Sequence, residues 1–376
     1  MSVRKKIVMT KGEPVTWWLA DYFDGTGRRH QRRFPTKREA TAHHDQTKTA
    51  IRAGQHVSLS ADLTVAIAAD KWLKKVDADG RERATLKTYG EHVKHHIKPR
   101  IGKQPLAKMT RGHVEHFRDS LLSGDKALSR ILARHVMVSF KSILKNAGVG
   151  HLGDHVRIEK ATRTRQRLEV GRDIPTTQEV ARMVNAASGR MRTLIMTAAS
   201  TGLRASELRG LRWSDVDLKS SELHVRQRAD RFNVIGSPKS EGSHRTVPFG
   251  PGVELALKEW KLACNGSGDL DLVFPTLSGA VERHGNTLRR FERIQVKAGV
   301  VDKAGKPKYA LHALRHFFAS WCINRKADGG RELPAKLVQS YLGHSSITMT
   351  LDVYGHLFPS NADRAELAAS EKALFG

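Results

Sequence analysis

The period at which apolar residues recur constrains the fold of this chain most, because it changes along the sequence. Between residues 64 and 152 the period is helical, whereas between residues 222 and 249 short alternating segments indicate strands. The helical faces include Val65, Ala68, Ala69, Trp72 and Leu73, and later Val136, Phe140, Ile143 and Leu144. We predict a multidomain protein that is mainly α with small antiparallel β-sheets, an α+β fold.

Shifts in pattern divide the 376 residues into four segments. Residues 1–56 combine two short strands around a glycine turn with a helix from Thr36, and residues 62–153 form a helical domain. Residues 154–173 form a basic linker. Residues 174–376 form the last domain and its C-terminal tail, beginning with the capping-box spacing of Thr176 and Glu179. Its further helices are predicted at residues 251–263, 284–298, 312–325, 334–342 and 346–357.

Charge narrows the class of partner. Lys and Arg number 65 against 38 Asp and Glu, a formal charge of +27 that is spread along the chain. A nucleic acid partner explains this excess better than a merely well-solvated basic surface. A protein of the membrane surface would need an amphipathic anchor, and we find none. No stretch approaches the roughly 20 apolar residues of a membrane span.

Cysteine content and the first residues bear on the compartment. Cys264 and Cys322 are the only cysteines, too few for a disulfide framework and without Cys-x-x-Cys spacing. The start is basic, but Lys11, Gly12 and Glu13 follow before any apolar signal core develops. We therefore expect a soluble, unexported, cytoplasmic protein that associates with the nucleoid.

Two segments carry local basic patches. Residues 1–56 hold 12 Lys and Arg against 5 Asp and Glu, and a β-ribbon with that charge can enter a DNA groove. The same pattern is typical of a structural cap with a solvated strand. In the linker, basic residues that lie along DNA and a solvated spacer look the same in sequence. The candidate DNA-binding residues are Arg28, Arg29, Arg32 and Arg33 in the first segment and Arg163, Arg165 and Arg167 in the linker.

The last domain presents six residues in an order that suits phosphoryl transfer. They are Arg204, Lys239, His312, Arg315, His344 and the nucleophile Tyr354. Two guanidiniums can bind the equatorial oxygens of a phosphodiester transition state without a metal ion. A lysine can protonate the leaving oxygen, and a phenol becomes a nucleophile where cations and a proton acceptor favour its ionisation. Glu207 is spaced to orient a neighbouring basic group.

Each of these residues also has an ordinary structural interpretation. The alternatives are a surface arginine at position 204, a solvated turn lysine at 239, a helix cap at 344 and a packed aromatic at 354. His30 and Arg33 repeat the His-x-x-Arg spacing in a segment where we expect no catalysis. The prediction therefore depends on the ordered set. Tyr341 is the rival nucleophile, but its neighbours Val338 and Leu342 indicate a core position.

Cofactor sites are not predicted. His312 and His316 have metal-ligand spacing, but Ala313 stands where a zinc-protease helix carries its acidic residue. The cluster of His92, His95 and His96 lacks a carboxylate or cysteine partner close in sequence. No P-loop is present, because the segment around residues 299–306 lacks the required spacing. We expect neither a metal nor another cofactor.

Three segments, at residues 201–208, 311–316 and 342–356, resemble the motif boxes of the tyrosine recombinases, in particular phage-type and genomic-island integrases. The resemblance covers about residues 174–360. It departs from the family pattern at Ala313 and Phe317, where a polar residue is commoner. It implies that residues 174–376 are a catalytic domain and that Tyr354 forms a 3′-phosphotyrosine bond, releasing a 5′-hydroxyl. Bond energy is conserved in that step, so neither ATP nor a metal is required.

The resemblance also implies partners. Residues 1–56 are expected to bind arm sites and residues 62–153 core sites of a DNA attachment site, with four copies of the chain on synapsed DNA. Accessory proteins that bend DNA or direct excision are further expected partners. The C-terminal tail is expected to dock on a neighbouring protomer or on its own domain.

The implied function is site-specific integration and excision of a phage, genomic island or other mobile element. A type IB topoisomerase and a chromosome-dimer resolvase use the same chemistry, but neither requires the basic N-terminal ribbon. A non-catalytic DNA-binding protein would not need every acid, base and nucleophile position.

Overall fold

The computed structural model describes residues 2–10, 13–23, 29–52, 62–159, 167–238, 243–264, 268–358 and 364–375. The chain separates into two compact units, Met1–Arg163 and Thr164–Gly376. Their boundary falls within the segment predicted as a linker. The finer division into four segments stays a prediction.

The first unit begins with a three-stranded antiparallel sheet. Its strands are β1 (Ser2–Thr10), β2 (Glu13–Phe23) and β3 (Arg29–Phe34), with β2 in the centre. Helix α1 (Lys37–Arg52) packs on the sheet, and Leu19, Tyr22 and Ala40 are buried. The sequence predicted two strands here, whereas the structure has three. β1 was missed because charged side chains at positions 4–6 interrupt its apolar alternation.

The rest of the first unit is helical. Its helices are α2 (Val65–Ala78), α3 (Arg83–His92), α4 (Lys98–Ile101), α5 (Arg111–Leu122) and α6 (Arg130–Asn146), with a π-helical turn at Val93–Ile97. The residues predicted to face the core are buried, except Leu73, which is only partly buried. Side-chain hydroxyls of Thr64 and Ser129 accept from backbone N–H groups and so begin α2 and α6.

The second unit contains nine described helices and two small antiparallel sheets. The helices are α7 (Thr177–Ala186), α8 (Gly189–Thr201), α9 (Ala205–Gly210), α10 (Pro251–Ala263), α11 (His284–Lys297), α12 (Ala313–Ile323), α13 (Ala335–Leu342), α14 (Ile347–Tyr354) and α15 (Arg364–Phe375). The predicted capping box is confirmed, because Thr176 and Glu179 each accept from the other's backbone N–H, over 3.1 and 2.9 Å.

Two groups of strands support the helices of this unit. The strands are β4 (Val216–Asp217), β5 (Glu222–Val225), β6 (Arg228–Ala229), β7 (Ile235–Gly236) and β8 (Arg245–Pro248), paired as β4-β5-β8 and β6-β7. The predicted strands β5 and β8 pair directly, with Leu223 opposite Val247 and both fully buried. The short strands β4, β6 and β7 were not predicted.

The hydrophobic cores of the second unit bring the elements of the site together. α8 lies in the larger core, and α12 packs against it. A second core joins β8, α12, α13 and α14 through Val247, Phe318, Val338, Leu342 and Tyr354. Arg315 on α12 and Tyr354 on α14 therefore lie where these elements meet. No helix among the described residues is long and apolar enough to cross a membrane.

Candidate active site

A glycine places the first arginine of the predicted set. α8 ends at Thr201, and Gly202 follows with φ +62°, in the left-handed region that favours glycine. A Cβ at this position would lie 2.3 Å from Cδ1 of Phe318, so a side chain is also excluded on steric grounds. Two residues later Arg204 has extended backbone and begins α9.

Arg204 is held by a carboxylate and a carbonyl. Its Nη1 donates to Oε1 of Glu207 over 2.8 Å, and its Nη2 donates to the carbonyl of Gly343 over 3.0 Å. Its backbone N–H donates to Oε2 of Glu207 over 2.8 Å. The side chain remains 34% exposed. The guanidinium is thus oriented by the protein and still accessible to a ligand.

A second arginine, which the sequence did not suggest, completes the environment of Glu207. Arg245 donates from Nη2 and Nη1 to the two oxygens of Glu207, over 2.8 and 3.2 Å. Burial alone would raise the pKa of Glu207, but the hydrogen bond and charge of Arg245, helped by the charge of Arg204, lower it to about 2. Glu207 is therefore a buried carboxylate that orients two arginines.

Arg315 is a buried cation of the site. It lies on α12 with 3% of its surface exposed, and it donates to the carbonyls of Gly202 over 2.7 Å and Leu342 over 2.5 Å. Burial, together with the charge of Arg204, lowers the pKa of Arg315 to about 9. The cation is held by carbonyl dipoles and by its position near Glu207.

The end of α13 organises all three arginines. Arg245 Nε donates to the carbonyl of Tyr341 over 2.7 Å, and the next two carbonyls, of Leu342 and Gly343, accept from Arg315 and Arg204. Carbonyls in the last turn of a helix lack partners within the helix and carry partial negative charge. Three guanidiniums are thereby fixed around one helix end, an arrangement that attracts an anion.

The two predicted histidines differ in setting. His312 lies at the N-terminus of α12 and is exposed, yet partial desolvation and then the charges of Arg315 and Arg204 lower its pKa. His344 follows Gly343, and its Nδ1 lies 2.9 Å from Oγ1 of Thr350. Burial and then the arginine charges lower the pKa of His344 to about 4. The His344 ring is therefore neutral at pH 7 and tied to α14.

Tyr354 lies at the end of α14 and is only 2% exposed. Its hydroxyl lies 2.8 Å from Nδ1 of His316, and its ring stacks on His344 with 5° between the planes and 6.4 Å between the centroids. Burial raises the pKa of Tyr354 to about 12, against the opposing charge of Arg315. The phenol is therefore protonated at neutral pH.

Tyr341 differs from the core position that its sequence context predicted. It is only partly buried, and the guanidinium of Arg331 lies 5.8 Å from its ring centroid. Its backbone carbonyl accepts from Arg245. Of these two tyrosines, Tyr354 is the buried one and belongs to the core.

Four predicted residues, Arg28, Arg163, Arg165 and Lys239, lie outside the described residues. Pro238 and Ser243, which are described on either side of Lys239, line a cleft of about 320 Å³ together with Arg204, Glu207 and Gly343.

The candidate DNA-binding arginines of β3 have different surroundings. Arg29 forms hydrogen bonds of 2.9 and 3.1 Å to the buried carboxylate of Asp21, and these lower the pKa of Asp21 to about 2. Arg32 lies 3.2 Å from a ring nitrogen of His43, and Arg33 is exposed. Arg29 therefore also has a structural role that the sequence did not indicate.

Two other predicted features can be placed. Arg167 lines a surface pocket of about 590 Å³ with His316 and His356. Among the described residues, no group of three or more His, Cys, Asp or Glu side chains is arranged to hold a metal ion. The sequence singled out His316 for its metal-ligand spacing from His312. That spacing did not predict the contact of His316 with the Tyr354 hydroxyl.

Three arginines lie around one helix end, and a protonated tyrosine lies within reach of the charge of Arg315, an arrangement that suits phosphoryl transfer. Residues 175–361 match the model of the phage integrase family. The chain belongs to this family of tyrosine recombinases.

Curated relatives and solved structures agree with that assignment. The XerC-like tyrosine recombinase of Caldanaerobacter subterraneus subsp. tengcongensis is 26% identical over 361 residues, 88% of each chain. Tyrosine recombinase XerC of Xylella fastidiosa is 34% identical over 169 residues, which is 45% of this chain and 49% of that protein. This chain thus matches about half the length of that XerC.

Two solved structures share the fold. The Tn1549 transposon integrase in complex with transposon right end DNA has a TM-score of 0.63 and 21% identity, covering 83% of this chain and all of that one. A lambda integrase dimer bound to a COC′ core site has a TM-score of 0.57 and 17% identity, covering 95% of both chains.

Proposed function

We propose that this tyrosine recombinase integrates and excises a mobile element by cleaving and rejoining DNA at attachment sites, with Tyr354 as nucleophile. The observation that carries the proposal is the convergence of Arg204 and Arg315 on adjacent carbonyls, with the charge of Arg315 acting on Tyr354. A scissile phosphate bound by the two guanidiniums would lie close to Tyr354.

Each residue of the set then has a defined part. Arg204 and Arg315 bind the non-bridging oxygens and stabilise the charge that grows there in the transition state. His312 and His344 donate further hydrogen bonds to those oxygens. The phenolic oxygen of Tyr354 forms a bond to phosphorus while the bond to the 5′ oxygen breaks, and Lys239 protonates that leaving oxygen.

The product is a 3′-phosphotyrosine and a 5′-hydroxyl. The 5′-hydroxyl of a partner strand then attacks the phosphotyrosine and restores a phosphodiester in a new connection. Because the covalent bond conserves the energy of the original one, the exchange requires neither ATP nor a metal.

The remaining segments supply DNA contacts and assembly. Residues 1–56 bind arm sites through the basic face of β3, residues 62–153 bind the core site, and the linker with Arg163, Arg165 and Arg167 follows the backbone. Four copies assemble on synapsed DNA within the nucleoid, and α15 docks on a neighbouring protomer through exposed residues such as Leu374 and Phe375. Proteins that bend DNA or direct excision assist.

A nicked suicide substrate tests the nucleophile. Such a substrate loses a short fragment after cleavage, so the covalent adduct accumulates. Tyr354→Phe should bind attachment-site DNA with wild-type affinity and form no adduct, whereas Tyr341→Phe should form it. Adduct formation by Tyr354→Phe, or its loss in Tyr341→Phe alone, would show that the assignment is wrong.

A further inference from the structure

The hydroxyl of Tyr354 has a specific partner outside the predicted set of six. Nδ1 of His316 lies 2.8 Å from it, and the two ring centroids are 5.8 Å apart. This distance is that of a hydrogen bond between a hydroxyl and a ring nitrogen. His316 directly follows Arg315 on α12, so the same helix carries a buried cation and the histidine that contacts the Tyr354 hydroxyl.

The position of His316 is fixed from several sides. Its ring meets that of His312 edge-on, with 89° between the planes and 4.8 Å between the centroids. On the other side it lines the pocket that contains Arg167 and His356. The side chain thus lies between the site and a surface pocket, a setting in which a proton can be passed on.

The charge state of His316 suits it to accept a proton. Burial, and then the charges of His312 and Arg315, lower its pKa to about 4, while Asp173 acts in the opposite direction. At neutral pH the ring is therefore uncharged, and the tautomer with hydrogen on Nε2 presents a lone pair on Nδ1. Among the residues that the structure describes, the titratable or charged groups that face it are His312, Arg315, Asp173 and Tyr354, with Arg167, Asp352 and His356 around the adjoining pocket.

We propose that His316 is a catalytic residue, the proton acceptor of Tyr354 during strand cleavage, and this proposal rests on the function proposed above. As the phenolic oxygen bonds to phosphorus, its O–H bond breaks and the proton passes to Nδ1 of His316. The bond from phosphorus to the 5′ oxygen breaks in the same displacement, and that oxygen takes a proton from the general acid. In the rejoining step the imidazolium of His316 returns its proton to the departing phenolate.

DNA itself makes His316 a better base. The protein holds Tyr354 protonated in the absence of DNA, and the cations around the site disfavour a charge on His316. A bound phosphodiester brings a negative charge that offsets those cations, so the affinity of His316 for a proton increases. The phenol also becomes more acidic as its oxygen bonds to phosphorus, and proton transfer therefore accompanies attack instead of preceding it.

The test separates a base from a hydrogen-bonding anchor. In His316→Asn, Oδ1 takes the place of Nδ1 and accepts a hydrogen bond but no proton; His316→Gln serves as a second variant if the first fails to fold. Each is assayed for single-turnover cleavage of a nicked suicide substrate between about pH 4 and pH 9, a range that begins at the pKa of about 4 that His316 has without DNA. The matched control is His224→Asn on β5, whose ring lies 2.9 Å from Oγ1 of Thr246. Unfolding temperature and DNA affinity are measured for all variants.

We expect cleavage by His316→Asn to be about 10²- to 10⁴-fold slower than wild type near pH 7, and the acid limb of the wild-type pH profile to be absent. Incorporation of a fluorinated, more acidic tyrosine at position 354 should shrink this defect about tenfold or more, since a more acidic phenol needs less help from a base. His224→Asn should cleave like wild type.

Two outcomes would overturn the proposal. One is wild-type cleavage by His316→Asn at every pH. The other is a defect of the same size with ordinary and fluorinated tyrosine, which would make His316 a positioning residue. Failure of the proposed function would look different, because the wild-type enzyme itself would then form no adduct at Tyr354.

Discussion

The guanidinium of Arg245 and the carboxylate of Glu207 form a two-fold ion pair in which both side chains are only 3% exposed. Arg245 lies on β8, and its Nε also holds the carbonyl of Tyr341 at the end of α13. The pair therefore ties a strand, α9 and the end of α13 into one unit. Arg204 and Gly343 are positioned through it.

Arg245→Lys should uncouple these elements. A lysine carries a point charge and cannot replace the planar fork that reaches both oxygens of Glu207 and a carbonyl. We expect single-turnover cleavage at saturating DNA to be about 10²-fold slower, as misplacement of catalytic groups by about 1 Å can cause. DNA affinity should change little, because Arg245 is buried. Arg226→Lys, an exposed partner of Asp215, is the control. Weakened DNA binding with unchanged cleavage at saturation would contradict a positioning role.

Glu207→Gln should make the free energy of unfolding less dependent on pH in the acid range. The folded pKa of about 2 lies below the ordinary 4.5, so the carboxylate stabilises the fold above pH 4.5 and loses that effect as the pH falls towards 2. The contribution is on the order of 3 kcal/mol. We expect urea unfolding to show that deficit for Glu207→Gln at pH 7 and a smaller one at pH 3. Glu259→Gln, an exposed residue of α10, is the control. An equal deficit at both pH values would count against the assignment.

Gly202→Ala should disturb both Arg204, two residues later, and Arg315, which donates to the carbonyl of Gly202. The left-handed backbone costs an alanine roughly 1–2 kcal/mol, and the contact with Phe318 adds overpacking of roughly 1–3 kcal/mol. Gly305 also has positive φ, but no atom lies within 4 Å of the point that a Cβ would occupy there, so Gly305→Ala should show the backbone cost alone. Chemical unfolding measures the free energy of unfolding of both variants, and the larger loss is expected for Gly202→Ala. DNA cleavage should be lost only in Gly202→Ala. Equal unfolding free energies would refute the steric argument.

Removal of residues 1–56 should affect the use of arm sites but not the cleavage of core sites. We expect the truncated enzyme to cleave a core-site suicide substrate at the wild-type rate and to lose integration that depends on flanking arm sites. The double variant Arg32→Ala with Arg33→Ala is the finer test, since Arg29 is also bound to Asp21. It should weaken arm-site binding and reduce its salt dependence. Unchanged integration by the truncated enzyme would remove the arm-binding assignment.

The sequence predicted most helices of the second unit because caps and helical periodicity are local signals. Arg245 was missed, although alternation along β8 puts it on the same face as the buried Val247 and so could have marked it as a buried arginine. His316 and Tyr354 are 38 positions apart in the sequence, and their contact depends on how α12 packs against α14. No local sequence pattern predicts such a contact. The hydrogen bonds from Arg204, Arg245 and Arg315 to the end of α13 also join residues far apart in sequence, so local patterns do not predict them.

The central claim is that Tyr354 becomes joined to a DNA 3′ end. Enzyme trapped on a nicked attachment-site substrate can be digested with nuclease and protease, and the modified peptide identified by mass spectrometry. We predict a nucleotide 3′-phosphate on Tyr354, together with a released 5′ end that polynucleotide kinase labels without prior phosphatase treatment. An adduct on another residue, or a 5′-phosphate linkage to the protein, would contradict it.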